Sequence, residues 1–135
     1  MDMKKISSII VSTILIYLFF RPGTNSLMAT PTVKYIRNGK ASWYSRNSPG
    51  INRRTANNEI FDDKDMTCAM WGASFNRLVK VTNLQNGKSI IVRVNDRGPH
   101  RRYVEQGRVV DLTIEAFSHL EVPEEGLIDV AIEFL

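Results

Sequence analysis

The sequence is poor in the residues that build metal and nucleophile sites. Of its 135 residues one is a cysteine, Cys68, and two are histidines, His100 and His119. A single thiol excludes an intrachain disulfide and a four-cysteine zinc site. Neither histidine stands at a metal-ligand spacing or in a recognisable Ser-His-Asp or Cys-His motif, so no metal and no cofactor is expected. Long apolar runs are missing too. The longest, Ile6 to Phe20, is interrupted by Ser7, Ser8, Ser12 and Thr13, and is shorter than the roughly 20 residues that cross a bilayer. Basic residues stop early: no Lys or Arg follows Arg108, whereas Asp111, Glu115, Glu121, Glu124, Glu125, Asp129 and Glu133 do.

What precedes and follows the apolar run gives it a meaning. Lys4 and Lys5 stand before it and Arg21-Pro22-Gly23-Thr24-Asn25-Ser26 after it, the charged, apolar and small-residue order of a secretory signal. The expected organisation is a leader over residues 1–29, cleaved or kept as an N-terminal anchor, a linker over 30–38 and one domain over 39–135. Export to the periplasm or cell envelope follows, with membrane attachment only through an uncleaved leader. Without Lys4, Lys5, Arg21 and Asp2 the formal net charge of +4 falls by two, so nucleic acid is not an implied partner. The remaining chain, about 106 residues, is long enough for a single core without staples, and a monomer is expected.

Several short segments read as strands. Val79 to Leu84 and Ser89 to Asn95 flank Asn86-Gly87, two residues that tolerate the positive φ of a type I′ turn, which predicts a β-hairpin. Alternation sets Ile90, Val92 and Val94 on one face against Ile91, Arg93 and Asn95 on the other. Gly98-Pro99 ends the second strand, because proline has no N–H for the ladder. Ala41 to Tyr44, Val109 to Leu112 and Leu127 to Leu135 are further strands, and Thr113 caps a short helix over Ile114 to Leu120 with Glu115 in its first turn. Arg46 to Asn58 has the composition of an exposed loop, and Thr67 to Leu78 fits no single pattern. Many short strands and one helix favour a small closed β-barrel.

Asp96 is the residue most suited to chemistry. It ends the hairpin strand, and parity places it on the face of Ile90, Val92 and Val94 if the pleat continues that far. A general acid needs a carboxyl at such a rim; the alternative is an Asx-turn residue before Gly-Pro. Glu59, Asp62, Asp63 and Asp65 form a second acidic group, and two acids at a fixed separation are the minimum for cleaving a glycosidic bond. Trp43 and Tyr44 are either a platform for sugar rings or core packing.

Six blocks in order then carry a resemblance: Gly39-Lys40-Ala41-Ser42-Trp43-Tyr44, Arg54 to Asp62, Val81-Thr82-Asn83-Leu84, Asn86-Gly87-Lys88-Ser89, Val92-Arg93-Val94-Asn95-Asp96-Arg97-Gly98-Pro99 and Gly107-Arg108-Val109-Val110-Asp111-Leu112-Thr113. Over residues 39–135 the sequence resembles the rare lipoprotein A family of septal-ring lytic transglycosylases. The resemblance implies a mainly β fold, a six-stranded double-psi β-barrel with one or two short helices. It also implies endolytic cleavage of peptidoglycan between N-acetylmuramic acid and N-acetylglucosamine, leaving 1,6-anhydro ends. Position by position, it implies catalytic roles for Asp96 and Glu59, and substrate-binding places for Tyr44, Thr55, Arg97 and Asp111. The implied partners are peptidoglycan glycan strands and cell-division or cell-wall proteins.

Departures from the family pattern keep alternatives open. No cysteine follows the apolar run, so lipid anchoring at the usual lipobox position is not expected. Asn58 replaces a usual Gly, Cys68-Ala69-Met70 stands where Ala-Ala-His is common, and Arg101 to Gln106 lengthen the loop beside Asp96. A non-catalytic, expansin-like module that grips cell-wall glycan is the second reading, with Arg97, Arg101 and Arg102 meeting wall anions. A hydrolase that places water between two carboxylates is the third.

Overall fold

The computed structural model describes residues 34–135, and the expected leader lies outside them. Six strands close into a barrel: β1 (Ile36–Tyr44), β2 (Thr67–Ala69), β3 (Leu78–Asn83), β4 (Ser89–Asp96), β5 (Arg108–Thr113) and β6 (Ile128–Phe134). Two short helices, α1 (Arg101–Val104) and α2 (Ile114–Ser118), flank β5, and a 3₁₀ turn over Pro123–Glu125 precedes β6. The order around the barrel is β1-β5-β2-β4-β3-β6. The β1–β5 and β2–β4 pairs are parallel and the others antiparallel. Among the described residues no helix is long and apolar enough to cross a membrane.

Alternation builds the interior of the longer strands. Val79 and Val81, Val92 and Val94, Val110 and Leu112, and Val130 and Ile132 all point inward and are fully or almost fully buried. β-branched side chains suit the pleated surface, and each contributes about 1.5–3 kcal/mol by leaving water. Phe117 and Leu120 close the interior from the α2 side. Thr113 caps α2 as expected, its hydroxyl accepting from the Ala116 N–H at 3.2 Å and donating to the Asp65 carbonyl at 2.6 Å.

Three expectations are corrected. The first strand starts at Ile36, not at Ala41, because residues 36–41 pair with β6 from Ile36↔Glu133 to Ala41↔Ile128; residues 36–38 thus belong to the barrel and not to a linker. The β3–β4 hairpin forms, but its connection is five residues, Leu84 to Lys88. Of Asn86 and Gly87 only Gly87 has positive φ, so the turn is not type I′. Asn83 sets the longer loop instead, its carbonyl accepting from the Gly87 N–H and its side-chain oxygen from the Gln85 N–H, both at 2.9 Å. The pleat of β4 does not persist to Asp96. β2 pairs Cys68 with Val94 but Ala69 with Asp96, so Asn95 is an extra residue on the β4 side. Such a bulge re-aims the side chain that follows it.

Candidate active site

The shortest strand holds the site together. Ala69, the last residue of β2, pairs with Asp96 of β4 on one side and with Asp111 of β5 on the other. Two strand spacings therefore separate the carboxylate-bearing backbones, about 10 Å. On the far side of β5, Ser42 of β1 pairs with Asp111, and Tyr44 follows two residues on. These side chains share a cleft of about 850 Å³, whose other walls come from the loop over Ser48 to Ala56 and from the segment Arg97 to Arg108.

Asp96 is gripped on one oxygen. Its Oδ1 accepts from the Ala56 N–H at 2.9 Å and the Arg97 N–H at 2.8 Å. Oδ2 receives no hydrogen bond from the described residues. A carboxyl fixed through one oxygen presents the other in a defined direction, as proton transfer requires. Asp111 sits deeper. Burial pushes its carboxyl above the ordinary range, and the nearby Asp96 charge adds to this. The Ser42 hydroxyl, donating to Oδ1 at 2.5 Å, and Arg108, 3.7 Å from the same oxygen, pull the other way. Gly98 packs beside this pair: a Cβ there would lie 3.3 Å from Asp111 Oδ2 and 3.1 Å from the Ala69 Cβ. A side chain at Gly98 would have to push one of these neighbours aside by a few tenths of an ångström.

Glu59, expected beside Asp96, is not among the cleft-lining residues. Its carboxylate is taken up by Arg93, with Nη1 2.6 Å from Oε1 and Nη2 2.9 Å from Oε2. Asn57 and Asn95 add bonds of 2.8 and 3.1 Å. Hydrogen bonds from Arg93, then Asn95 and Asn57, hold the Glu59 carboxyl down to about 2. The physical reason for the displacement is the loop's own turn. Asn58 takes the positive-φ place (φ 71°), Thr55 and Glu59 close across it with a 2.9 Å backbone bond, and the Asn57 N–H reaches the Asn95 carbonyl. Glu59 thus ties the loop down to β4, and the loop aims the Ala56 N–H at Asp96.

The remaining expected residues divide. Tyr44, Thr55, Arg97 and Asp111 all line the cleft with Asp96. The Tyr44 ring stacks on Phe61 at 4.9 Å, and its buried hydroxyl has no hydrogen-bond partner. Burial, followed by the charge of Asp96, pushes that phenol far above its ordinary range. Thr55 is buried and donates to Asn57 Oδ1 at 2.6 Å, so its hydroxyl braces the loop. Arg97 donates to the Met70 carbonyl at 3.0 Å and lies 3.8 Å over the Phe75 ring, so its guanidinium is already engaged. Trp43 lines the cleft as well, while it packs against the core and donates to the Pro123 carbonyl. Sequence reasoning missed Ser42, Tyr103 and Arg108 in the cleft; of the arginines named for the wall-binding reading, Arg97 and Arg102 line it and Arg101 does not. On a strand, residues three apart face opposite sides, so the spacing of Arg108 and Asp111 gave no signal; the register shift at Val109 accompanies their approach. Among the described residues no three His, Cys, Asp or Glu side chains group as a metal site.

Comparison with known proteins agrees with this geometry. A family model described as lytic transglycolase matches residues 36–132. A probable endolytic peptidoglycan transglycosylase RlpA of Synechocystis sp. is 42% identical over 112 residues, covering 82% of this chain and 33% of that protein. The endolytic peptidoglycan transglycosylase RlpA of Vibrio cholerae is 42% identical over 101 residues, covering 75% and 36%. The chain therefore spans about a third of the length of these curated relatives. Among solved structures, the Streptomyces papain inhibitor superposes with a TM-score of 0.58 at 21% identity, over 75% of this chain and 94% of that one. An apo expansin of Clavibacter michiganensis gives 0.56 at 22% identity, over 75% and 50%.

Proposed function

This chain belongs to the lytic transglycolase family of double-psi β-barrels, and on that premise we propose that its cleft cuts peptidoglycan glycan strands as an endolytic transglycosylase. The bond cut is that between N-acetylmuramic acid and N-acetylglucosamine. Asp96 gives a proton through Oδ2 to the leaving glycosidic oxygen as positive charge develops at the muramyl anomeric carbon. The same carboxylate then takes the proton of that sugar's 6-hydroxyl, whose oxygen closes on the anomeric carbon. One glycosidic bond breaks, one anhydro bond forms, and Asp96 ends protonated as it began. The nucleophile is already part of the substrate, so positioning replaces an external water.

The observation that carries the reading is the one-sided grip on Asp96 at the floor of an open cleft. Asp111, whose carboxyl burial pushes above the ordinary range, is its neighbour on the same floor. Tyr44 lines the same cleft, although its hydroxyl is buried away from the open groove. Glu59 contributes from outside the cleft, by holding the loop that grips Asp96. Export to the cell envelope completes the proposal, supported by the leader pattern and by the place where such a polymer is found.

The test is Asp96→Asn. Loss of a positioned acid costs about 10²–10⁴-fold in rate, so the variant keeps the circular dichroism of the parent and releases no anhydro-muropeptides from sacculi within the wild-type time course. Mass spectrometry decides the chemistry, because a hydrolysed end is heavier than an anhydro end by one water. Full activity of Asp96→Asn ends the assignment. Wild-type protein that sediments with sacculi and releases nothing leaves the wall-binding reading in its place.

A further inference from the structure

The arginine-rich stretch from Arg93 to Arg108 looks uniform in sequence, yet the structure spends its members differently. Arg93 pairs with Glu59, Arg97 is held by Met70 and Phe75, and Arg101 lies outside the cleft lining, paired across its own helix with Glu105. Arg102 and Arg108 remain, both on the cleft wall. Their guanidinium carbons lie 4.6 and 4.2 Å from the centre of one ring, that of Tyr103. Arg102 also donates to the Tyr103 hydroxyl at 2.5 Å, and it pairs with no carboxylate among the described residues. Arg108 approaches Asp111 only at 3.7 Å.

A guanidinium laid against an aromatic ring loses little freedom when it binds, and its planar fork matches a carboxylate. We infer that the Arg102–Tyr103–Arg108 cluster is a carboxylate-reading subsite, which takes an acidic group borne by the glycan strand beside the bond to be cut. This rests on the proposed glycan substrate. Each muramyl unit of such a strand carries one acid-bearing branch. On a peptide-stripped strand the group is the free lactyl carboxylate; on an intact strand the lactyl group is amidated and the acids belong to the peptide stem. Both offer the same chemistry.

The experiment measures binding, apart from cutting. Wild type, Arg102→Gln and Arg108→Gln are titrated by co-sedimentation with peptide-stripped and stem-bearing strands, each with native carboxyls or with carboxyls blocked as methylamides. Arg101→Gln, outside the cleft, is the charge control. The subsite predicts that Arg102→Gln binds native strands about tenfold more weakly, the loss of one charge-assisted contact, and that blocking the carboxyls weakens the wild type equally. Arg101→Gln binds as wild type does. A contrast on stripped strands alone identifies the lactyl group, and one on stem-bearing strands alone identifies the peptide. Equal binding of native and blocked strands by the wild type overturns the inference. If the contrast holds while no anhydro product forms, the cutting reading falls and the subsite stands. If blocked strands are bound and cut as well as native ones, the reverse is true.

Discussion

Glu59 accepts four hydrogen bonds on its two oxygens, from Arg93, Asn95 and Asn57, and this has a pH signature. Its folded value of about 2 lies below the ordinary 4.5, so between these values the unfolded chain binds the extra proton. The stabilisation is therefore complete above pH 4.5 and disappears as pH falls through 2. Glu59→Gln should lower Tm by a few degrees at pH 6, about 0.5–1 kcal/mol for an ion pair this exposed to screening solvent. The gap between variant and parent should close on titration to pH 2. Release of anhydro ends should fall with the loosened loop, roughly tenfold, while Asp96 itself is untouched. Asp111 works in the opposite direction. Its raised carboxyl means that the folded state holds the proton longer, so its contribution declines as pH rises above the ordinary carboxylate range. The Glu59–Arg93 pair was not legible in the sequence, because the partners lie 34 positions apart and only tertiary folding brings them together.

Among the elements, local pattern was readable wherever a residue's role is local. The Thr113 cap, the β3 and β4 strands of the hairpin and the alternation of β6 appear in the sequence because capping and alternation act over a few residues. Thr113→Ala deletes both the cap on Ala116 and the donor to Asp65, and should cost about 1–2 kcal/mol. Thermal unfolding followed at 222 nm measures it. β2 was not readable: all three of its residues are buried, so it has no alternation to reveal it. The bulge at Asn95 was hidden for the same reason, since the β2 pairing creates it. Asp96 could be singled out by its place before Gly-Pro, but its direction could not.

At the scale of the whole molecule, the closed order β1-β5-β2-β4-β3-β6 leaves no free sheet edge among the described residues. The interior is one cluster shared by all six strands, so the barrel and its cleft should unfold together. Ile132→Ala should cost about 2–5 kcal/mol, a large part of the roughly 5–15 kcal/mol typical of a domain. Urea transitions followed by Trp43 and Trp71 fluorescence and by circular dichroism should move to lower concentration together. The closed barrel was legible from strand count and the motif resemblance. The division of labour among its arginines was not, because charge in a sequence carries no direction.

The placing of both cleft carboxylates opposite Ala69 has a wider consequence. Their gap is a gauge cut into the hydrogen-bond lattice of a sheet, which neither a moving loop nor an arriving polymer can reset. Only the stretches of wall that do not hold Asp96 are free to be exchanged around it. A lineage can thus retool which polymer enters, or which branches it bears, and inherit the same calibrated jaw.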